Sequence, residues 1–192
     1  SLTTFKPSVC NRLDRNTSGI ILASKTAKGA QYLSESIKNG NLDKYYLTVC
    51  AGEFNKAGDH IACLIKDSVE NKVKIISEKD INKPEYNIKK YSKPVKIKTG
   101  IELIDYNDDL DISLLKIRLY TGKSHQIRAH LAYLGYPVIG DTKYGNKVIN
   151  AVFNRKYKVR SQLLHAFEIH FKDDGSSYTA QPPKIFYELF SL

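Results

Sequence analysis

The stretch NRLDRNTSGIILAS, residues 11–24, places a charged turn directly before an apolar run. The segment from Gly19 to Ser24 predicts a buried strand. Asp14 precedes that strand between Arg12 and Arg15, whose positive charges favour an ionised carboxylate. A carboxylate at the mouth of a buried strand is a common position for a catalytic group, and it is also a common position for an aspartate that stabilises a turn. The stretch by itself leaves both interpretations open.

Three helices are predicted outside this stretch. The first is capped by Thr26 and ends at Gly40, and the second begins at Ser124 and ends at Gly135. A short terminal helix follows the proline pair at 182–183. The apolar residues that define the buried faces of the three helices are Ala30, Leu33 and Ile37; Ile127, Leu131 and Leu134; and Ile185, Phe186, Leu189 and Phe190.

Short apolar segments account for most of the remaining chain and predict strands. They cover residues 44–50, 61–65, 73–76, 101–104, 112–119 and 164–171, with a turn at 107–109. Neither an internal repeat nor a linker-like segment interrupts them. We therefore expect one α+β domain over residues 1–192, built on a mixed or mainly antiparallel sheet flanked by helices and loops.

The charge of the chain is strongly positive. The 192 residues carry 30 Lys and Arg against 20 Asp and Glu, a formal net charge of +10. Such a surplus favours a polyanionic partner, although a lysine-rich surface that serves solubility has the same composition. The surplus is concentrated between 121 and 163, where eight Lys or Arg accompany one acid, Asp141, and four tyrosines are interleaved. Cations among aromatic rings suit unpaired bases and their phosphates.

The cysteines and the apolar runs indicate the compartment. Cys10, Cys50 and Cys63 are odd in number and lack the spacing of a metal knuckle or a redox pair, so we expect buried thiols in a reducing cytoplasm. None of the apolar runs reaches the roughly 20 residues that a membrane helix needs.

The segment TGKSHQIRAHL, residues 121–131, has many hydrogen-bond donors. Its Gly-Lys-Ser imitates the end of a P-loop, but the first glycine of that motif would fall at Ile117. His125 and His130 are five residues apart, which is the wrong spacing for a zinc pair on one helix face. A helix N-terminus rich in donors suits an anion, and Arg128, one turn further on, can bind a carboxylate bidentately.

Five segments, in order, resemble the RluA/RluC/RluD family of pseudouridine synthases. The stretch around Asp14 is similar to the signature RLDxxTSG, and residues 44–52 are similar to KxYxAxVxG. Residues 121–131 resemble TGRTHQIRxHL, residues 135–145 resemble GxPxxGDxxYG, and residues 164–166 are the LHA that closes the family's domain. Together these matches are far more specific than any one of them.

The resemblance implies a role for individual residues. Asp14 aligns with the essential carboxylate, Arg128 with the arginine that forms a salt bridge to it, and Tyr46 with the tyrosine that stacks on the target base. Arg12 aligns with the arginine that fills the gap left by a flipped nucleotide. Without the resemblance, Tyr46 is a half-buried strand tyrosine and Arg12 a surface phosphate contact. Further RNA contacts are expected from the donors around these segments: Arg15, Lys123, His125, Gln126 and His130.

The resemblance also implies the reaction and its partner. The expected activity is isomerisation of uridine to pseudouridine in RNA, most often ribosomal RNA of the large subunit, with transfer RNA as the alternative. Asp14 would attack the sugar or act as the base that forms a glycal, and the sequence does not distinguish these two routes. The family needs no cofactor and no metal, and we expect a cytoplasmic monomer. A non-catalytic RNA-binding module that retained the scaffold is a rival hypothesis.

Two departures from the family pattern stand out. Asn11 stands where a histidine is frequent, which we expect to affect RNA contacts more than chemistry. The chain also begins only thirteen residues before Asp14, whereas such proteins usually carry a further strand and often a small S4-like RNA-binding domain. We therefore expect an N-terminally truncated catalytic domain.

Overall fold

The computed structural model describes residues 5–86 and 88–190. The strands are β1 (Ser8–Val9), β2 (Ser18–Gly19), β3 (Ala23–Ser24), β4 (Leu42–Ala51), β5 (Gly58–Asp67), β6 (Lys72–Ile76), β7 (Val95–Asn107), β8 (Ile112–Leu119), β9 (Leu164–Phe171) and β10 (Ser177–Thr179). The helices are α1 (Ala27–Lys38), α2 (Gln126–Leu134), α3 (Lys147–Tyr157) and α4 (Lys184–Leu189). Short 3₁₀ turns occupy Glu78–Asp80, Pro84–Tyr86 and Asp108–Leu110.

One large sheet organises the chain. Its strands lie in the order β10-β9-β4-β8-β7-β5-β6, and β2 pairs with β9 beside this path. The β2–β9 pair is parallel, and the other pairs of this sheet are antiparallel. A separate antiparallel pair joins β1 to β3. The expected α+β class with a mainly antiparallel sheet is confirmed.

The longer predicted strands are confirmed, and the first one is wrong. β8 and β9 have the predicted bounds, while β4, β5 and β7 extend beyond them. The predicted strand from Gly19 to Ser24 is instead two strands of two residues each, β2 and β3. The chain leaves β9 after Gly19, and the backbone of Leu22 bonds to Cys10 and to the Asn11 side chain. Local bonds to residues 10–11 therefore replace the ladder of a continuous strand.

Three predicted helices form, with one correction at a cap. Thr26 accepts the Gly29 N–H at the start of α1, and Gly135 ends α2 at a φ of 96°, a left-handed conformation that favours glycine. Ser124 does not cap α2, because the N-cap is His125 at a φ of 56°. The predicted terminal helix is α4. α3 was not predicted; it begins at Asn146, whose side chain accepts two backbone N–H groups.

The two faces of the sheet bury different cores. On one face, α2 packs Ile127 and Leu131 against Ile117 and Tyr46, with Leu13 at the margin. On the other face, α3 and α4 cover a cluster that includes Leu47, Val49, Ile112, Leu114, Phe153, Phe186 and Leu189. Alternate residues of β4 thus enter opposite cores, as the two-residue period of a strand requires. The first face carries the cleft described below.

Candidate active site

A cleft of about 610 Å³ opens beside α2. Its walls come from the loop between β1 and β2, from β4, and from the segment before α2. The lining residues are Cys10, Asn11, Arg12, Leu13, Asp14, Arg15, Thr17, Ile37, Lys44, Tyr46, Leu119, Gly122, Lys123, Ser124, His125, Gln126, Ile127 and Leu164. All three residues predicted to be catalytic lie at this cleft or directly behind it: Asp14 and Tyr46 line it, and Arg128 contacts Asp14.

The loop that carries Asp14 is fixed within itself and against the segment before β9. Thr17 N–H donates to the Asp14 carbonyl over 2.9 Å, which closes a tight turn. The Gln162 side chain donates to the Arg15 carbonyl over 2.6 Å. Leu13 packs into the core beneath the loop. The Asp14 carboxylate is therefore held at the cleft surface, with 22% of the side chain exposed.

The end of this loop depends on a glycine. Gly19 has a φ of +109°, and a Cβ atom there would lie 2.2 Å from the Ala166 carbonyl oxygen, so a side chain cannot be accommodated. Beside it, Ser18 Oγ lies 2.8 Å from Nδ1 of His165, and Nε2 of His165 lies 3.0 Å from the Ala180 carbonyl. A carbonyl only accepts, so Nε2 carries the proton and Ser18 donates to Nδ1. The LHA segment thus anchors the loop that carries Asp14.

Arg128 contacts two carboxylates, and the stronger contact is with Asp141. Its Nε donates to Asp141 Oδ2 over 2.6 Å and its Nη2 to Asp141 Oδ1 over 2.9 Å. Nη1 reaches Asp14 Oδ2 over 3.3 Å. The predicted bidentate pair is therefore made with Asp141, and Asp14 receives one longer bond. That leaves Asp14 Oδ1 without a bond to the guanidinium.

Burial and pairing act against each other at Arg128 and Asp141. The side chains are 6% and 0% exposed. Burial opposes both charges, but the contacts between the two side chains outweigh it, and they raise the pKa of Arg128 and lower the pKa of Asp141. The backbone N–H groups of Lys143 and Tyr144 each donate to Asp141 Oδ1, which lowers the pKa of Asp141 further. Both groups are therefore charged at neutral pH, and Arg128 is held in a fixed orientation.

Tyr46 lines the same cleft as a neutral phenol. Burial, and secondly the charge of Asp14, raise the pKa of Tyr46 to about 12. The ring is 8% exposed and packs with the core residues of the α2 face. At neutral pH the hydroxyl keeps its proton, so Tyr46 can donate a hydrogen bond or hold a proton but does not act as a phenolate base. Its rigid ring offers a flat surface to a planar ligand.

His125 is held by Tyr144 at the start of α2. Nδ1 of His125 lies 2.8 Å from the Tyr144 hydroxyl, which accepts the Val73 N–H over 3.0 Å. The ring of Tyr144 also lies under the Arg128 guanidinium, 5.3 Å from its centroid. Burial lowers the pKa of His125 below its usual value. Neutral His125 can therefore accept a hydrogen bond from the Tyr144 hydroxyl at Nδ1, and its own N–H is then at Nε2.

Four of the six predicted RNA contacts are accessible, and two are not. Arg12, Arg15 and Lys123 are exposed and His125 is half-buried, all lining the cleft. The Gln126 side chain instead accepts from the Thr121 hydroxyl and the Lys123 N–H and donates to the Lys98 carbonyl and the Thr99 hydroxyl. Gln126 and His130 are 2% and 1% exposed. Both side chains are buried and bond to Thr99, although Gln126 also borders the cleft, and their contact with RNA stays a prediction.

The arrangement has a definite chemical capacity. A half-exposed carboxylate with one oxygen clear of the guanidinium can stabilise positive charge on a substrate, attack an electrophilic carbon, or accept a proton. A neutral phenol shares its cleft. Exposed cations on the rim can hold a polyanion. This combination fits a reaction on an uncharged group within a polyanionic substrate.

Comparison with known proteins is consistent with this capacity. The sequence model of the RNA pseudouridylate synthases matches residues 1–133. The chain belongs to this family. Members and relatives that it resembles include an uncharacterized RNA pseudouridine synthase of Mycoplasma genitalium, 36% identical over 167 residues, which are 87% of this chain and 47% of the relative.

Other pseudouridine synthases are similar over a comparable span. Ribosomal large subunit pseudouridine synthase C of Haemophilus influenzae is 30% identical over 173 residues, 88% of this chain and 48% of that protein. Ribosomal large subunit pseudouridine synthase D of Borreliella burgdorferi is 26% identical over 188 residues, which are 95% of this chain and 51% of that protein. The chain thus spans about half the length of the curated relatives it matches.

Solved structures of the family share the fold. Human RNA pseudouridylate synthase domain containing 1 superposes with a TM-score of 0.73 at 21% identity, covering 97% of this chain and 73% of that one. Human RNA pseudouridylate synthase domain containing 4 also gives a TM-score of 0.73, at 16% identity, covering 95% and 74%. The fold is therefore that of the pseudouridylate synthases.

Asp141 is a residue of the site for which the sequence predicted no role, and it stood out only as the single acid of the basic segment. It lies in the GDTKYG stretch, residues 140–145, which was matched to the family without assigning a role to the carboxylate. The signal was available, because a lone acid among eight cations is a candidate ion-pair partner. Its side chain is 0% exposed, so the exposed charges of this segment are all positive in the described structure.

The burial of His130 predicts a pH dependence of stability. Burial, and secondly His60, lower the pKa of His130 from 6.5 to about 4. Between pH 6.5 and pH 4, the unfolded chain therefore binds a proton at His130 that the folded chain does not. The contribution of His130 to the free energy of unfolding is complete above pH 6.5 and is lost as the pH falls towards 4. Urea unfolding at pH 7 and pH 5 should show the wild type losing about 2 kcal/mol more than His130→Asn. Equal losses in the two proteins would contradict the prediction.

Within 5–86 and 88–190, no cluster of three or more His, Cys, Asp or Glu side chains could hold a metal ion. No helix in those ranges has the length and apolar character needed to cross a membrane.

Proposed function

We propose that this chain is the catalytic domain that converts uridine to pseudouridine in RNA, with Asp14 as the reactive carboxylate. The observation that carries the proposal is the geometry of one side chain. Asp14 is half-exposed in a cleft, bonded on one oxygen to Arg128, and shares that cleft with the neutral phenol of Tyr46. Family membership supports the same assignment.

The reaction exchanges one bond to the sugar for another. The bond between C1′ and N1 of uracil breaks, the base turns in place, and C5 joins C1′. The proton lost from C5 is balanced by the proton gained at N1, so an isomer results and no co-reactant is consumed. Because a stacked base is inaccessible, the uridine must be flipped into the cleft. Arg12, which is exposed at the cleft two residues before Asp14, would occupy the vacated position.

Asp14 has two possible roles in this scheme. Loss of uracil builds positive charge on the sugar, and a fixed carboxylate stabilises that charge as in glycosidases. Asp14 then either bonds to C1′ as a nucleophile or removes the C2′ proton to form a glycal. Either route needs a carboxylate oxygen that is not committed to Arg128, and Oδ1 of Asp14 forms no bond to the guanidinium. Tyr46 would cover the face of the uracil while it turns.

We further propose ribosomal RNA of the large subunit as the substrate. The support is similarity to proteins whose names specify that target in Haemophilus influenzae and Borreliella burgdorferi. We also propose that the protein acts as a monomer. Three free thiols and an RNA partner support a cytoplasmic location.

Pseudouridine mapping tests the proposal. Total RNA from a strain lacking the protein is incubated with the purified protein and mapped by mass spectrometry. We expect new pseudouridines in large-subunit ribosomal RNA. New pseudouridines in transfer RNA alone would support the same reaction on the alternative substrate. RNA binding without any new pseudouridine would contradict catalysis and favour a binding module.

A further inference from the structure

Lys44 is a cleft residue for which the proposed chemistry has no role. It lies on β4 two residues before Tyr46, so the two side chains project from the same face of the sheet. Both line the cleft, together with Gly122 and Leu119. The Lys44 side chain is half-buried rather than extended into solvent.

The Lys44 ammonium has no partner among the residues that the structure describes. No carboxylate of residues 5–86 or 88–190 lies within 4.0 Å of it. Neighbouring Asp43 projects from the opposite face and binds Arg118 over 2.8 Å and Lys172 over 3.3 Å. Asp14 is bonded to Arg128. Asp43 is therefore committed to other cations, and Asp14 forms its ion pair with Arg128 rather than with Lys44.

Three other lysines of the sheet differ from Lys44 in this respect. Lys96, Lys98 and Lys116 each form an ion pair with a carboxylate at 3.0 Å or less. Lys44 is enclosed without such a partner, and burial lowers its pKa. Enclosing an unpaired ammonium destabilises the folded protein, so its retention in a cleft points to an anionic ligand.

Gly122 lies beside the ammonium. A Cβ atom there would lie 3.3 Å from Lys44 Nζ, so a side chain at this position would shift the ammonium by a few tenths of an ångström. Lys44 forms no ion pair with Asp14, whose carboxylate bonds to Arg128, although both residues line the cleft.

We propose that Lys44 binds a backbone phosphate of the RNA strand that carries the target uridine, at a subsite beside the reaction centre. The phosphodiester is the anionic group of RNA, and the rim cations Arg12, Arg15 and Lys123 lead the strand to the same cleft. The inference rests on the proposed function in taking RNA as the ligand. It adds that the RNA strand is held by a phosphate contact inside the cleft as well as by the cations at its rim.

Lys44→Met separates this role from a structural one. We expect the binding of fluorescein-labelled oligouridylate, titrated against salt, to weaken and its log-log slope to fall by about 0.7, the value for one phosphate contact on a single strand. The melting temperature should stay equal or rise, because an enclosed charge is removed. Under saturating RNA the turnover rate should change much less than KM.

Two controls make the result specific. Lys28→Met removes an exposed lysine of α1 outside the cleft and should leave the slope unchanged. Lys44→Arg keeps the charge and should retain most of the slope. An unchanged slope in Lys44→Met, with pseudouridine formation by the wild type intact, would overturn the subsite and leave the proposed function standing. A reduced slope in a protein that forms no pseudouridine would support the subsite and reject the reaction.

Discussion

Asp14→Asn should abolish pseudouridine formation while RNA binding is retained or strengthened. The amide keeps the shape of the side chain and can still accept a bond from Arg128, but it carries no charge to stabilise a cationic sugar and is a poor nucleophile and base. Loss of such a fixed electrostatic group should reduce turnover by roughly a thousandfold or more. Removing a negative charge from a cleft that binds a polyanion should not weaken binding.

A matched variant and two measurements complete this test. Asp109→Asn removes an exposed carboxylate from the turn between β7 and β8 and should leave turnover unchanged. Single-turnover pseudouridine formation and oligouridylate binding are measured on both variants. Turnover by Asp14→Asn within tenfold of the wild type would exclude Asp14 as the reactive group. Loss of binding in parallel with loss of turnover would indicate a disrupted cleft, which circular dichroism would detect.

The fold class could be predicted because it depends on short-range patterns. β8 and β9 alternate or run apolar over their whole length, and α1 begins at a good cap. The strand predicted from Gly19 to Ser24 failed because its pairing is decided at a distance, by Ala166 and by residues 10–11. α3 was overlooked because two of its valines face solvent, Val148 at 75% and Val152 at 48% exposure, which blurs the apolar stripe.

The site could be predicted only in part, for a similar reason. The family resemblance pointed to Asp14, Tyr46 and Arg128, and the structure brings these three together. Gln126 and His130 have the polar character of RNA contacts, but both bond to Thr99 of β7 inside the protein. Local sequence does not distinguish a polar residue that faces a ligand from one that satisfies a buried network. The partner of Arg128 likewise depends on how residues 136–145 fold back onto α2.

Asp141→Asn should lower both stability and turnover, because Asp141 positions Arg128. Removing one member of a buried ion pair leaves the other charge uncompensated, which typically destabilises a protein by about 3–5 kcal/mol. For a chain of this length the melting temperature should fall by roughly 10 °C. Arg128, released from its bidentate partner, would turn towards Asp14 and engage both of its oxygens. Turnover should then fall at temperatures where the variant is fully folded, with KM little changed.

Asp67→Asn provides the comparison that isolates positioning from stability. Asp67 is 6% exposed, accepts backbone N–H bonds from Val69 and Glu70, and pairs with Lys90 over 2.8 Å. Like Asp141, Asp67 is a buried carboxylate that accepts backbone N–H bonds and pairs with a cation, but it lies at the end of β5, outside the cleft. We expect Asp67→Asn to be less stable than the wild type but equally active when folded. Equal losses of turnover in the two variants would assign Asp141 to stability alone, whereas a loss confined to Asp141→Asn would show that the orientation of Arg128 controls the availability of Asp14.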